Sequence, residues 1–182
     1  MRVFAGLPLG ADLKKNISPW LADAGNIYKT LKFVDPALLH ITLYFFGEIG
    51  EQEVDILKST VSSFESKQAE AAPGKIFCFP SFKNPNVFYL SLNEGGKDVY
   101  KIYENFINRI KTEGYKPPGK RFVPHITIAR RKKNRIDEDW TFLAKADFGN
   151  EKTVFNRLVL FQSVLKPEGP EYIPLSEKKL NM

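Results

Sequence analysis

The strongest constraint on the fold is a repeated order of predicted elements. Each half of the chain predicts strands, a helix and a strand that contains the letters His-Ile-Thr, first at residue 40 and again at residue 125. This order is not a regular βαβ succession, and it indicates an α+β fold of two similar lobes. The length, 182 residues, is that of one domain. We therefore predict a single bilobal domain over residues 1–182, with the two motifs at 40–43 and 125–128.

Apolar spacing predicts where the elements lie. A helix should begin near Asp12, and Pro19 should kink or shorten it. The stretch from 154 to 164 predicts one long strand. The other predicted elements are strands at 2–7, 39–46, 75–79, 87–92, 122–129 and 172–175, and helices over 51–66 and from about 99 to 110.

Composition narrows the class of protein. The chain has 27 basic against 21 acidic residues, a net charge of +6 that favours an anionic partner such as nucleic acid, a nucleotide or a membrane surface. No apolar run reaches the roughly 18 residues of a membrane-spanning helix, and the start lacks a signal-peptide core. The one cysteine, Cys78, excludes an internal disulfide and a cysteine-based zinc site. We therefore expect a cytoplasmic protein, with a monomer as the default state.

The two histidines of the chain carry its chemistry. His40 and His125 are each followed two positions later by a threonine, Thr42 and Thr127, and seven threonines in 182 residues do not predict this recurrence by chance. Side chains two apart on a strand share a face and lie about 6.6 Å apart along it. Each motif therefore predicts an imidazole and a hydroxyl side by side, and lobes that face each other would bring both pairs to one cleft.

Two imidazoles and two hydroxyls suit in-line displacement at a phosphodiester. One imidazole takes a proton from the attacking oxygen, the other gives one to the leaving oxygen, and the hydroxyls hold the non-bridging oxygens. This chemistry needs no metal or cofactor, and two histidines without a third ligand fall short of a catalytic zinc site. The alternative that both histidines are structural stays open, because a strand histidine is often a hydrogen-bonded core residue.

The motifs resemble a known family. The segments Leu39-His40-Ile41-Thr42-Leu43-Tyr44-Phe45-Phe46-Gly47 and Arg121-Phe122-Val123-Pro124-His125-Ile126-Thr127-Ile128-Ala129-Arg130 are similar to the paired motifs of the two-histidine (2H) phosphoesterase superfamily. They resemble most the RNA 2′,3′-cyclic phosphodiesterases, also called 2′-5′ RNA ligases. The opening residues 1–4, residues 160–163 and Gly169 and Tyr172 also fit, so the resemblance spans nearly the whole chain.

The resemblance implies a central cleft between two antiparallel-sheet lobes with outer helices. It implies hydrolysis of an RNA 2′,3′-cyclic phosphate to a 2′-phosphomonoester, with His40 as the proton donor to the 3′ oxygen and His125 as the acceptor that activates water. Thr42 and Thr127 would bind the phosphate. A 5′-hydroxyl in place of water would give 2′-5′ ligation.

Three further residues are candidates for substrate binding. Arg130 closes the second motif, but an ideal strand would turn it to the face opposite Thr127, so it reaches the site only if the strand ends or bends. Arg121 is the first residue of the same segment and is either a surface residue or a phosphate ligand. Tyr44 shares the strand parity of His40, which predicts that it borders the cleft and stacks a base.

Alternatives remain at this point for the substrate and for the class of function. RNA ends such as tRNA fragments, small cyclic nucleotides, ADP-ribose 1″,2″-cyclic phosphate and 2′-5′ oligoadenylate differ in ways that the sequence does not separate. A non-catalytic RNA-binding module is the alternative from another class. Such a module needs basic and aromatic surface, not two matched His-Thr pairs.

Overall fold

The computed structural model describes residues 1–132, 139–167 and 169–182, which form ten strands, four α-helices and one 3-10 helix, Pro36–Leu38. The strands are β1 (Arg2–Pro8), β2 (Leu31–Phe33), β3 (His40–Glu48), β4 (Ala69–Ala71), β5 (Pro73–Phe79), β6 (Val87–Leu92), β7 (His125–Arg131), β8 (Thr153–Phe155), β9 (Arg157–Lys166) and β10 (Gly169–Lys179). The helices are α1 (Ala11–Ile27), α2 (Glu51–Ser62), α3 (Gly96–Lys111) and α4 (Thr141–Ala144).

Eight of the strands form an antiparallel sheet in two groups. One group has the order β10-β9-β1-β3, and the other has the order β7-β6-β5, with β2 also paired to β7. Ile41 on β3 and Ile126 on β7 are the pair that joins the two groups in the described part of the chain. Strands β4 and β8 pair separately. The sheet halves therefore meet where the two motif strands begin.

The helices interlock the two halves. Helix α2 contacts β9 and β10, and α3 contacts β3, so both cover the first group of strands. Helix α1 contacts β2 and α4 contacts β5, so both cover the second group. The indole of Trp20 on α1 lies edge-on against Phe33 on β2 at 6.4 Å between ring centroids. This arrangement confirms the predicted α+β fold of two antiparallel-sheet lobes with outer helices.

Several predicted elements differ in their bounds from the structure, and two of the differences have a clear physical reason. Helix α1 runs 17 residues through Pro19 and is not shortened there. Its buried face, with Leu13, Ile17 and Leu21, supplies packing that outweighs the backbone hydrogen bond that a proline removes. The predicted strand over 154–164 is divided at Asn156, because β8 pairs with β4 whereas β9 pairs with β1 and β10. No helix in the described residues is long and apolar enough to cross a membrane.

Candidate active site

Both motifs project their polar side chains from the same face of the sheet. Ile41 and Ile126 lie directly opposite each other and are fully buried, so they point into the core. Their neighbours along each strand must point to the other face. His40 and Thr42 on β3 therefore lie beside His125 and Thr127 on β7. The register of that pair makes His40 and His125 diagonal neighbours, a relation in which residues on antiparallel strands lie roughly 7–8 Å apart.

The same backbone hydrogen bond orients both imidazoles. His40 Nδ1 lies 2.7 Å from the carbonyl oxygen of Leu38, and His125 Nδ1 lies 2.7 Å from that of Val123. A carbonyl oxygen only accepts, so Nδ1 carries the proton in each ring and Nε2 is left for chemistry. His40 Nε2 is 3.0 Å from the Thr42 hydroxyl, which donates to it when the imidazole is neutral.

The His40 ring is enclosed by aromatic side chains. The rings of Phe4 and Tyr172 have their centroids 4.9 and 5.3 Å from that of His40, and Phe161 lies at 6.4 Å. Burial is the largest cause that lowers the pKa of His40 to about 4, and the charges of His125 and Arg130 contribute to that shift. The unliganded site therefore holds His40 in its neutral form at neutral pH.

A glycine makes room for the His40 ring. Gly6 on β1 lies opposite Thr42. A Cβ atom at position 6 would lie 2.9 Å from the Ile41 carbonyl oxygen and 3.2 Å from Cδ2 of His40. Any side chain would therefore push against backbone and against the imidazole, so the glycine permits the close approach of the two strands.

His125 has a different surrounding from His40. The rings of Tyr89 and Phe79 lie edge-on to it at 5.2 and 5.4 Å between centroids. Burial is the largest cause that lowers its pKa below 6.5, and the charge of Arg130 acts in the same direction. Both imidazoles therefore favour the neutral form, and an anion bound beside them would favour the charged form.

A β-bulge lies at the same position of each motif and determines which of the following residues face the site. On β3, Leu43 is the extra residue between the pairs Gly6–Thr42 and Ala5–Tyr44. On β7, Ile128 is the extra residue between the pairs Tyr89–Thr127 and Phe88–Ala129. Both extra residues are buried. Each bulge reverses the alternation of the strand, so the fifth residue after each histidine, not the fourth, faces the site.

The bulge in β7 brings Arg130 to the same face as Thr127. An ideal strand would turn Arg130 away from the site, and this bulge is the bend that the sequence analysis named as necessary. The bulge in β3 has the opposite consequence for Tyr44, and the prediction that Tyr44 borders the cleft beside His40 is wrong. The Tyr44 hydroxyl instead donates to the carbonyl oxygen of Lys116 at 2.8 Å, and its ring packs on Phe46. Phe45, which is 49% exposed, takes the place predicted for Tyr44.

These side chains line a cleft of about 720 Å³. His40, Thr42, Thr127 and Arg130 contribute to its wall. Its rim adds Arg2, whose guanidinium lies 4.8 Å from the centroid of the Phe45 ring. His125 does not line the cleft but lies two residues from Thr127 on the same face. The remaining lining residues are Phe4, Lys32, Phe33, Val34, Asp35, Leu38, Ser163, Lys166, Gly169, Pro170, Glu171 and Tyr172.

One predicted site residue lies away from the cleft, and some residues that do line it had no local pattern that pointed to the site. Arg121 lies exposed in the loop before β7 and does not line this cleft. Phe4 and Tyr172, which enclose His40, come from distant strands that no local pattern associates with the motif. Gly6 did carry a signal, because a glycine inside a strand often marks a close approach of backbone. Among the described residues, no three His, Cys, Asp or Glu side chains converge as metal ligands.

The arrangement can perform acid–base chemistry on a bound anion. Two Nε2 atoms, two hydroxyls and one guanidinium share a sheet face. The net charge of this set becomes more positive when either imidazole takes a proton, so a phosphate favours the protonated states. A site of this kind suits transfer at phosphorus.

Comparisons with known proteins agree with this chemistry. A model of the LigT-like phosphoesterase family matches the chain twice, at residues 7–89 and 90–172, so that each match contains one motif. The RNA 2′,3′-cyclic phosphodiesterase of Archaeoglobus fulgidus is 26% identical over 174 residues, covering 94% of this chain and 96% of that protein. The protein of the same name from Thermotoga maritima is 28% identical over 184 residues, covering 97% and 94%.

Solved structures show the same fold. The protein TT0787 of Thermus thermophilus matches with a TM-score of 0.76 and 24% identity, covering 98% of this chain and 97% of that one. E. coli LigT complexed with 3′-AMP matches with a TM-score of 0.77 and 17% identity, covering 100% and 98%. Since the family model covers most of the sequence, including both His-x-Thr motifs, this chain belongs to the LigT-like phosphoesterase family.

Proposed function

We propose that this protein hydrolyses RNA 2′,3′-cyclic phosphate ends to 2′-phosphomonoesters. The observation that carries the proposal is the pair of imidazoles on one sheet face, each with Nδ1–H bonded to a carbonyl and Nε2 left for the substrate. Family membership and the names of the relatives support the substrate class. A 2′,3′-cyclic phosphate needs a 2′ oxygen, which distinguishes RNA from DNA.

In the proposed mechanism, the imidazoles act on opposite sides of phosphorus. His125 Nε2 takes a proton from water, and the water oxygen forms a bond to phosphorus. The bond from phosphorus to the 3′ oxygen breaks, and that oxygen takes the Nε2 proton of protonated His40. The Thr42 and Thr127 hydroxyls and the Arg130 guanidinium stabilise the charge on the non-bridging oxygens. Each imidazole keeps its Nδ1–H bond throughout, so neither ring has to turn.

The acid role of His40 depends on the charge of the substrate. The pKa of His40 is about 4 in the unliganded site, so the group is neutral before the substrate binds. A phosphodiester anion beside it favours the imidazolium, which raises the pKa in the complex. The Nε2 atom of neutral His40 accepts a hydrogen bond from the Thr42 hydroxyl. Protonation would turn Nε2 into a donor and release the Thr42 hydroxyl to the phosphate.

The pH dependence should differ between kcat/KM and kcat. The base must be neutral and the acid charged, so each profile should be bell-shaped. Activity is lost below the lower pKa because the base is protonated, and above the higher pKa because the acid has lost its proton. In the free enzyme burial lowers both histidine pKa values below 6.5. We therefore expect kcat/KM to peak on the acid side of pH 6.5, and kcat to peak at higher pH.

The profiles are measured with a short cyclic-phosphate oligonucleotide, using single-turnover rates to establish that chemistry is limiting. A profile that is flat from about pH 5 to 9 under those conditions would contradict two-histidine catalysis. Coincident peaks for kcat/KM and kcat would contradict the proposed effect of the phosphate on His40.

The reaction itself is tested with an oligoribonucleotide that ends in a 2′,3′-cyclic phosphate, incubated with the purified protein in EDTA. We expect a 2′-phosphomonoester, identified by its chromatographic difference from the 3′ isomer. Activity that disappears in EDTA and returns with a divalent cation would overturn the metal-independent mechanism. A 3′-phosphate product would overturn the direction of ring opening.

Substrate class is tested in parallel incubations. These contain a mononucleoside 2′,3′-cyclic phosphate, ADP-ribose 1″,2″-cyclic phosphate and 2′-5′ oligoadenylate. We expect the RNA end to give the highest kcat/KM. A small cyclic nucleotide with a higher kcat/KM than the RNA end would replace RNA as the substrate. Binding of RNA without turnover would favour a non-catalytic module.

A further inference from the structure

An exposed aromatic surface lies beside His125, outside the cleft. It consists of Phe77 and Phe79 on β5 and Tyr89 on β6, and we call it the aromatic face. Phe79 and Tyr89 stack with their centroids 4.4 Å apart, and Phe77 lies 6.1 Å from Tyr89. Phe77 is 44% exposed and Phe79 is 37% exposed, although both are large apolar side chains. Their edge strand places them at the surface, where a ring has a free side for stacking.

The aromatic face is continuous with the phosphate-binding residues. Phe77 lies directly opposite Tyr89, and Tyr89 lies directly opposite Thr127. The three residues thus form one row across neighbouring strands, which puts the backbone of Phe77 about 10 Å from that of Thr127. Lys75 is exposed two positions before Phe77 on the same strand. The surface therefore combines π-faces with a cation, the combination that binds single-stranded nucleic acid.

The order of the strands separates two sides of the reacting phosphorus. The cleft lies on the side of β3 and β1 and includes His40, whereas β6 and β5 lie beyond β7 on the side of His125. In the proposed mechanism the ribose leaves through its 3′ oxygen toward His40, and the nucleophile arrives in line from the side of His125. A molecule held on the aromatic face is therefore placed to deliver the nucleophile.

We infer that the aromatic face binds the 5′ end of a second RNA strand, whose 5′-hydroxyl replaces water. This inference rests on the proposed function and assigns a site to its ligation branch. The 5′ oxygen bonds to phosphorus, and its proton passes to His125 Nε2. The bond to the 3′ oxygen breaks, and that oxygen takes the proton of His40. The product is a 2′-5′ phosphodiester with a free 3′-hydroxyl, and no nucleotide cofactor is consumed.

Binding of the second strand is measured without the reaction. A trinucleotide with a 5′-hydroxyl and 2-aminopurine as its first base is titrated with protein, while an excess of a nucleoside 2′-monophosphate fills the cleft. We expect the fluorescence to be quenched on binding to the wild-type protein. Phe77→Leu should weaken binding by fivefold or more, on the basis of about 1–3 kcal/mol for base–aromatic stacking. Phe77→Tyr keeps the ring and should restore binding.

Ligation provides the second readout. The wild-type protein is incubated with a cyclic-phosphate oligonucleotide and an excess of 5′-hydroxyl strand, and the ratio of ligated to hydrolysed product is measured. Phe77→Leu should lower this ratio by about fivefold or more, in parallel with the weaker binding. Ile56→Ala, which removes an exposed apolar side chain from α2, is the matched control and should leave the ratio unchanged. Thermal melting by circular dichroism checks that each variant is folded.

Three outcomes would overturn the inference. One is no quenching by the wild-type protein, and another is equal binding by Phe77→Leu and wild type. The third is a KM for hydrolysis that Phe77→Leu raises only for longer cyclic-phosphate strands, since that would put the substrate's own upstream bases on the aromatic face. Failure of the proposed function would be recognised differently, as no hydrolysis of the cyclic phosphate by the wild-type protein. The fluorescence titration would still test whether the aromatic face binds the second strand.

Discussion

Replacing His125 with alanine is expected to lower kcat for the cyclic phosphate by about 10²–10⁴-fold, and replacing His40 should have an effect of similar size. Each substitution removes one proton-transfer group and retains the other imidazole, both threonine hydroxyls and Arg130. The fall in kcat of the double variant should be little larger than that of the less active single variant, because acid and base act in one concerted step. Single-turnover rates at saturating substrate measure these losses directly.

The leaving group separates the two roles. A phosphodiester with a nitrophenolate leaving group needs no proton on the departing oxygen, so the general acid matters less for it. We expect His40→Ala to regain much of its activity on such a substrate and His125→Ala to regain little. The reverse pattern would exchange the two roles. Full activity of either variant on the cyclic phosphate would remove that histidine from the mechanism.

Stability of the variants has to be established separately. The His40 ring is packed against Phe4 and Tyr172, so His40→Ala leaves space in a half-buried aromatic cluster. His40→Asn fills part of that space and does not transfer protons in the same pH range. Equal loss of activity in both variants, with cooperative melting transitions, would assign the effect to chemistry and not to unfolding.

The sequence predicted the site correctly at the positions where the side chains of each strand alternate regularly, and incorrectly after each bulge. His-x-Thr alternation places an imidazole and a hydroxyl together on each strand, and the structure has that arrangement at both motifs. Beyond the threonines, alternation predicts that the fourth residue after each histidine faces the cleft. Bulges at Leu43 and Ile128 make it the fifth, which exposes Phe45 and Arg130 instead. A bulge arises from pairing with β1 or β6, and no residue type in the motif itself specifies it.

The fold was predictable in its elements and class, but not in how the lobes are assembled. Local spacing predicts the helix that follows β1 and the helix that follows β6. It does not predict that α1 packs on β2 or that α3 contacts β3. These contacts depend on which buried faces meet across long stretches of chain. Residues enclosing the site, such as Tyr172, were for the same reason beyond reach of local patterns.

Substitution of Arg130 by glutamine should have the second large effect, a fall in kcat of about 10²–10³-fold, the size seen when one preorganised donor to a developing negative charge is lost. The bulge in β7 is what brings this guanidinium to the cleft, with His40 and Thr127. A second consequence follows from its charge. Arg130 lowers the pKa of both His40 and His125, so its removal raises both values.

The combination of a lower rate with a displaced pH profile tests Arg130 as a phosphate ligand near both imidazoles. Both limbs of the kcat/KM profile should move to higher pH in Arg130→Gln. In Arg130→Lys the limbs should stay nearer their original positions, because the charge is kept, but the planar donor pair is lost, so the rate should remain below wild type. Arg109→Gln on α3 removes an arginine that pairs with Glu113 outside the cleft, and it should change neither quantity. A slower Arg130→Gln enzyme with unmoved limbs would contradict the placement of this charge beside both imidazoles, since removing a nearby cation must raise their pKa values.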